Sequence, residues 1–244
     1  MSSGLLPGYV LHSSALSDHK LILDMVVAEH GHIRLVARRP AKRSGALQWQ
    51  PFGRHQLSWR GQQSLKTVQV LEAETTAMAL QGVYLFSGLY LNELTMRAFA
   101  ADHICPALFP LYERTLTALW QAQQIDTGLS PLLEVILRQY EFAILAELGT
   151  RPQFALDGIG QPIAADGYYQ WWPEQGFLPY VMTSSIANIE GWRGADLIAI
   201  AAALADHSAW QSASLKAAKR LCRTLLQFYI GTKPLLSRQL FKAT

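Results

Sequence analysis

Along the first 80 residues the apolar positions come in short, branched-residue runs broken by turn formers, a pattern that predicts strands. Tyr9 to His12 opens an extended segment, and Leu21 to Ala28 follows as a run of Leu, Ile, Met and Val around a single acid. His30-Gly31-His32 interrupts that run before Ile33 to Ala37 resumes it, which predicts a hairpin. Leu57 to Trp59 and Lys66 to Leu71 add further strands on either side of Gly61, with Val68 and Val70 alternating. About five short strands in about 75 residues suit a sandwich or a small barrel of the OB type.

Beyond residue 80 the period lengthens. Val83 to Phe99 is almost uniformly apolar, which predicts a buried helix. Within it Glu93 and Arg97 stand four apart, in the order that favours an intrahelical ion pair. Ala107 to Gln123 and Pro131 to Leu148 predict two more helices, the second opened by a Ser130 N-cap with proline at the first helical position and stopped by Gly149. Residues 150–185 are punctuated by proline and glycine and read as a loop-rich insert with short strands at Tyr168 to Trp172 and Phe177 to Val181. Helical patterning returns at Ala195 to Asp206. It returns again at Ser214 to Tyr229, where Leu215, Ala218, Leu221, Cys222, Leu225, Leu226 and Tyr229 share one face. The expected fold class is α+β with more than one domain: a β-barrel over residues 1–80, then a helical domain over 81–244 containing the irregular insert.

Composition narrows the function. Half the residues are hydrophobic and 16% are charged, which favours a packed core over disorder. The longest run of small apolar residues, Leu197 to Ala205, has nine residues, against the roughly 20 that a membrane span needs. The opening residues lack a basic n-region and a long apolar core, so no secretory leader is expected. Cys105 and Cys222 alone make neither a disulfide framework nor a four-ligand zinc site, which points to a reducing, cytoplasmic setting. The net charge of +3 conceals a segmentation: +4 over residues 1–80, −8 over 81–210 and +7 over 211–244. Positive ends around an acidic middle suit a polyanion or an acidic partner, or else two solvated basic surfaces.

The densest cluster lies between the third and fourth strands, where Arg34, Arg38, Arg39, Lys42 and Arg43 fall within ten residues without an acid, and Pro40 and Gly45 oppose a helix. Trp49 and Phe52 follow. Cations neutralise phosphates, while rings stack bases at about 1–3 kcal/mol each, so the group suits single-stranded nucleic acid. The alternative makes Trp49 and Phe52 barrel core beneath a solvated loop. In the final long helix Lys216, Lys219, Arg220 and Arg223 line up opposite the apolar face. Like charges at that spacing repel, so the stripe either meets a phosphate backbone or is a tolerated solvated face.

Enzymatic signatures are missing. There is no G-x-x-x-x-G-K-[ST] loop, G-x-S-x-G elbow or H-E-x-x-H helix. Gly158-Ile159-Gly160 reads as a turn, His30 and His32 as a solvated hairpin tip, and Cys105 as a core residue at a helix end. No catalytic group, cofactor or metal is expected.

Several segments together carry a family resemblance. Val10-Leu11-His12-Ser13, Arg34-Leu35-Val36-Ala37-Arg38 leading to Lys42-Arg43-Ser44, and Gln50-Pro51-Phe52 resemble the opening domain of the RecO family of bacterial recombination mediators. The likeness continues through Leu89-Tyr90-Leu91-Asn92-Glu93-Leu94, Arg138-Gln139-Tyr140-Glu141-Phe142, Leu148-Gly149 and the stretch from Gly231 to Phe241. The resemblance implies an N-terminal OB-fold joined to a helical domain, in a protein that binds single- and double-stranded DNA and anneals complementary strands. It further implies engagement of the acidic, phenylalanine-ended tail of single-strand-binding protein, and cooperation with RecR in loading RecA, without hydrolysis or a nucleotide cofactor. Arg138 on its helix with Leu137 and Tyr140 is the family-matched candidate for the tail; its other reading is an ion pair with Glu134 or Glu141. Many relatives carry a four-cysteine zinc module in the insert, whereas Asp157-Gly158-Ile159-Gly160 stands here where a C-x-x-C is expected. Packing of Phe154, Trp171, Trp172 and Phe177 is then expected to hold the insert. A protein–protein adaptor that binds acidic partners without touching DNA is the competing reading.

Overall fold

A computed structural model describes residues 4–39, 49–62, 65–126, 128–180, 191–206 and 210–241. Five strands, β1 (Leu6–Ser17), β2 (Lys20–Val27), β3 (Gly31–Arg38), β4 (Arg54–Arg60) and β5 (Lys66–Ala73), close into a barrel in the order β1-β2-β3-β5-β4. Every neighbouring pair is antiparallel except β3 and β5, which run parallel with Leu35 opposite Lys66, and β1 shuts the barrel on β4 from Leu6–Leu57 to Tyr9–Arg54. That order is the Greek-key barrel of the OB-fold. Its interior is filled by alternate residues: Val10 from β1, Leu23, Met25 and Val27 from β2, Ile33, Leu35 and Ala37 from β3, and Leu57 and Trp59 from β4.

The helices are α1 (Gly82–Ala98), α2 (Leu108–Ile125), α3 (Pro131–Glu147), α4 (Gly194–Ala205), α5 (Ser212–Ile230) and the single turn α6 (Ser237–Leu240). By packing, the chain divides into two units: residues 1–136 with 228–244, and residues 137–227. The barrel therefore shares its unit with α1 and α2. As expected for an all-round apolar helix, no residue of α1 from Val83 onward is fully exposed. The outward residues of β1 meet these helices: the Tyr9 ring lies 5.8 Å from Phe109 and 5.4 Å from Tyr112, and Asn92 Nδ2 donates to the Leu11 carbonyl at 2.9 Å. Alternation alone points Val10 into the barrel with Tyr9 and Leu11 buried outside it, and the β-bulge between Val10 and His12 then sets His12 opposite Asp24 on the outer face. Gly31, at φ 85°, brings the β2–β3 turn against Cys105, where a Cβ would stand 3.0 Å from the Cys105 carbonyl oxygen. Cys105 is a buried residue just before α2, as the sequence indicated.

Glu93 and Arg97 form the expected ion pair four residues apart, with charged atoms 3.9 Å from each other, and both also reach across to the returning C-terminal segment. Glu93 accepts from the backbone N–H groups of Leu236 (2.9 Å) and Ser237 (2.8 Å) and from the Ser237 hydroxyl (2.6 Å). Arg97 donates to the carbonyls of Ile230 and Pro234. Burial works against the Glu93 charge, but those donors outweigh it and hold the carboxyl below the usual carboxylate range.

In the second unit, β6 (Tyr168–Trp172) is flanked by β7 (Gly176–Pro179) and β8 (Gly191–Arg193) in a three-stranded antiparallel sheet. The expected continuation of β7 to Val181 lies outside the described residues. Phe177 is the hub of the insert, with ring centroids 5.1 Å from Trp171, 5.9 Å from Phe154 and 6.4 Å from Trp192. Trp172 does not join them: it is 46% exposed. Where relatives are expected to place cysteines, the Asp157 carboxylate closes the turn, accepting from the N–H groups of Ile159 (3.0 Å) and Gln161 (2.8 Å).

Candidate nucleic-acid interface

Because Ile33, Leu35 and Ala37 point into the barrel, Arg34 and Arg38 point out of it. Both belong to β3 rather than to the loop that follows; Lys42 and Arg43, further along, lie outside the described residues. The register pairs Arg38 with Lys20 and Arg34 with Asp24 across β2. Lys20, Arg38 and Arg39 are exposed, and Arg39 N–H donates to the His19 carbonyl at 2.9 Å, closing the same end of the hairpin. Arg34 and Arg38, four residues apart, span about 13 Å along the strand. Lys20 escapes a search for charge runs, since only the hairpin register brings it beside Arg38. Arg60 also escapes it: exposed at the end of β4, it flanks the β4–β5 loop. Strands 2 and 3, with the loops after strands 1 and 4, are the surface on which OB barrels hold oligonucleotides.

Among the described residues of β2 and β3 Asp24 is the one acid, and it is buried. Its Oδ1 accepts from Arg34 Nε at 3.1 Å and lies 2.9 Å from His32 Nε2; His32 Nδ1 donates to the Phe99 carbonyl at 2.9 Å. Burial opposes the Asp24 charge, but the His32 and Arg34 hydrogen bonds prevail and lower its pKa. On the opposite flank Tyr9 donates to Glu113 at 3.0 Å; burial first, and then that carboxylate, push the phenol above its usual range. Arg54, bound to Glu113 and Glu74, is engaged within this network rather than presented to solvent.

The aromatic half of the expected site is corrected. Phe52 is 5% exposed, at φ 73°, with its ring against Gly88 of α1, so it has no free face for a base. Trp49 is half-buried and packs against the barrel core. Of the two readings open to Phe52, core packing is the observed one.

The stripe on α5 is exposed at Lys216, Lys219, Arg220 and Arg223, while Leu215, Ala218, Leu221, Cys222, Leu225 and Leu226 are buried behind it. Arg220 is already engaged: it donates to the Gly191 carbonyl at 2.6 Å and stands 5.3 Å over the Trp192 ring.

Arg138 is also corrected. It is 5% exposed, and Nη2 meets Glu141 Oε1 at 2.6 Å; Tyr140 is buried and Leu137 half-buried, so no cation is offered to a ligand there. An exposed cation occurs instead at Arg151, on an open cleft of about 340 Å³, part polar and part apolar, lined by Pro152, Gln153, Phe154, Ala155, Ala201 and Leu204. Sequence reasoning missed it because the cleft joins the start of the insert to α4, some 50 residues later.

Among the described residues no group of three metal-binding side chains converges, and no helix is long and apolar enough to cross a membrane. The family model described as Recombination protein O N terminal matches residues 1–77, and that described as Recombination protein O C terminal matches residues 80–239. Curated relatives carry the name DNA repair protein RecO. One from Pseudomonas putida is 38% identical over 237 residues, covering 97% of this chain and 96% of its own. One from Vibrio cholerae is 36% identical over 249 residues, covering 100% and 96%, and one from Stutzerimonas stutzeri is 38% identical over 237 residues, covering 96% and 92%. With both family models filling nearly the whole chain behind an OB barrel, the chain belongs to the RecO family of DNA repair and recombination proteins.

Proposed function

We propose that this chain binds single- and double-stranded DNA, anneals complementary strands and assists loading of the recombinase onto DNA coated by single-strand-binding protein. The observation that carries the reading is the cluster of Lys20, Arg34, Arg38 and Arg39 on the outer face of the β2–β3 hairpin. Two phosphate backbones repel, and a protein that neutralises both lowers the cost of bringing them together. No covalent step is needed, so the protein acts as a mediator and not as an enzyme. The barrel, residues 1–80, holds one strand; in the helical region, residues 81–244, Lys216, Lys219 and Arg223 of α5 hold a second segment. The aromatic contribution is small, since Phe52 is core; the grip is electrostatic.

Recruitment uses the other kind of site. The acidic, aromatic-ended tail of single-strand-binding protein needs a cation next to apolar side chains; Arg138 is buried, and Arg151 stands exposed on a cleft that Phe154, Ala201 and Leu204 help to line. RecR, and through it RecA, complete the assembly, in the cytoplasm on the nucleoid.

A salt-titrated binding isotherm on a labelled single strand tests the reading. Neutralising about five phosphates gives a slope of log K against log salt near −3.5. Arg38→Glu with Arg39→Glu is expected to flatten the slope and slow annealing. A wild-type slope near zero, or annealing unaffected by both reversals, refutes it in favour of an adaptor that binds only acidic proteins.

A further inference from the structure

The β2–β3 face places an acid among its cations, and the position of that acid has a consequence for how one of them works. Resting on the DNA-binding reading above, we infer that Asp24 is a positioning residue: anchored by His32, it grips the Nε edge of Arg34 and leaves the terminal edge of the guanidinium for a phosphate.

Each link is geometric. Asp24 and Arg34 are directly opposed across β2 and β3, so their Cβ atoms face each other on one side of the sheet. The Asp24 side chain is 8% exposed, and the same oxygen meets both His32 Nε2 and Arg34 Nε. His32 is fixed at both ends of its ring, because Nδ1 donates to the carbonyl of Phe99, just past α1. The carboxylate is thus held from behind by a buried ring bonded to backbone. In front of it the Arg34 side chain remains 48% exposed and gives only Nε to Asp24 at 3.1 Å. A guanidinium carries five donors in a rigid planar fork; securing Nε fixes the plane while four N–H groups stay available for the two oxygens of a phosphate. An arginine already held in its binding geometry loses less side-chain freedom when it captures a ligand.

The test turns on a sign. Removing a negative charge beside a polyanion site strengthens binding if Asp24 is only a competing charge. If Asp24 positions Arg34, Asp24→Asn weakens binding although the protein becomes more positive. Affinity of the full chain for a labelled single strand is measured for wild type, Asp24→Asn, Arg34→Ala, Arg34→Lys and the doubles, with each variant's melting transition. Asp24→Asn is expected to lose about fivefold, to lose nothing further in the Arg34→Ala background, and to tighten binding in the Arg34→Lys background, where no Nε remains to hold. Tighter or unchanged binding by Asp24→Asn overturns the inference, and so does an equal loss with and without Arg34. If Asp24→Asn fails to fold, the Arg34 Nε–H resonance of the wild-type chain decides. It is expected to be protected from exchange and to shift on adding oligonucleotide; a fast-exchanging or unresponsive signal overturns the positioning role. Salt-dependent wild-type binding that ignores Arg34→Ala removes this inference alone, whereas wild type that does not bind removes the DNA reading itself.

Discussion

Replacing Glu93 with glutamine should release the C-terminal segment from α1 and leave the barrel unaffected. In the wild-type chain Oε1 accepts from Leu236 N–H at 2.9 Å, and Oε2 accepts from the backbone N–H and hydroxyl of Ser237 at 2.8 and 2.6 Å. All three bonds are charge-assisted. An amide of the same shape keeps one accepting end and turns an NH2 against a donor at the other. Oriented toward Ser237 it keeps two weaker bonds and opposes Leu236 N–H; oriented the other way it keeps one. The loss is about 2 kcal/mol, set by one forfeited bond and two that lose their ionic character. Hydrogen exchange reads this directly, because the protected amides are the donors themselves. A 2 kcal/mol weakening of local closure speeds exchange at Leu236 and Ser237 about 30-fold, while amides inside the barrel keep their rates. The pH dependence has a definite sign. The Glu93 carboxyl is held below its ordinary value near 4.5, so its contribution is complete above that pH and disappears as acidification passes through the lowered folded value. Wild-type protection of these amides should fall on acidification below about pH 4.5, and that of Glu93→Gln should stay flat over the same interval. Wild-type exchange rates at Leu236 and Ser237 in the variant, or a loss spread evenly over the barrel, would refute the clamp.

Four further outcomes are expected. Phe52→Ala should cost about 3–5 kcal/mol in chemical denaturation, as for a buried aromatic, and should leave single-strand affinity near wild type under native conditions; lost affinity at unchanged stability would restore the stacking role. Arg138→Ala should destabilise by about 3–5 kcal/mol because it takes the paired cation from the buried Glu141 carboxylate, and Arg138→Met with Glu141→Leu should recover most of that in a thermal melt. Lys216→Ala with Arg223→Ala should change stability by less than about 0.5 kcal/mol per site yet reduce the duplex salt slope by about 2. Arg220→Ala, by contrast, should loosen its contacts with Gly191 and Trp192, seen as a change in indole fluorescence.

Which features the sequence announced follows from how local their causes are. The barrel strands were legible as short runs of branched apolar residues broken by turn formers, from which Leu23, Met25 and Val27 on β2 and Ile33, Leu35 and Ala37 on β3 supply the core. The outer end of β1 left no such trace, since His12 to Ser17 is exposed and paired only through backbone. The short β8 and α6 were invisible for a related reason. The first exists by pairing with β6, and the second is tied down by Glu93, 144 residues before Ser237. Phe52 illustrates a different limit. Its left-handed backbone and its seat on Gly88 are set by α1, and nothing in Gln50-Pro51-Phe52 distinguishes an aromatic turned inward from one offered to a base. Arg138 was ambiguous on the helix because the spacing that allows a pair with Glu141 says nothing of burial; its 5% exposure settles the matter.

Where the helices stop also fixes where DNA can be met. Outward positions on β3 grade from His32, 2% exposed and bonded to the Phe99 carbonyl, through Arg34 with its side chain 48% exposed, to Arg38, which is exposed. At one end the face is sealed by the connection after α1, where Asp102 N–H donates to the His32 carbonyl. At the other it ends in Lys20 and Arg39. A side chain at position 32 is desolvated by that seal and needs buried partners, whereas a charge at position 38 keeps its water and can exchange it for phosphate. Asp24 sits at the boundary between the two regimes, buried enough to need partners and near enough to solvent to share one of them. Moving the cations one pleat toward His32 would place them under the helices, and moving the acid one pleat toward Arg38 would set it among the phosphates. The order His32, Asp24–Arg34, Arg38–Lys20 along the hairpin is therefore what lets a buried network and an exposed polyanion surface occupy the same two strands.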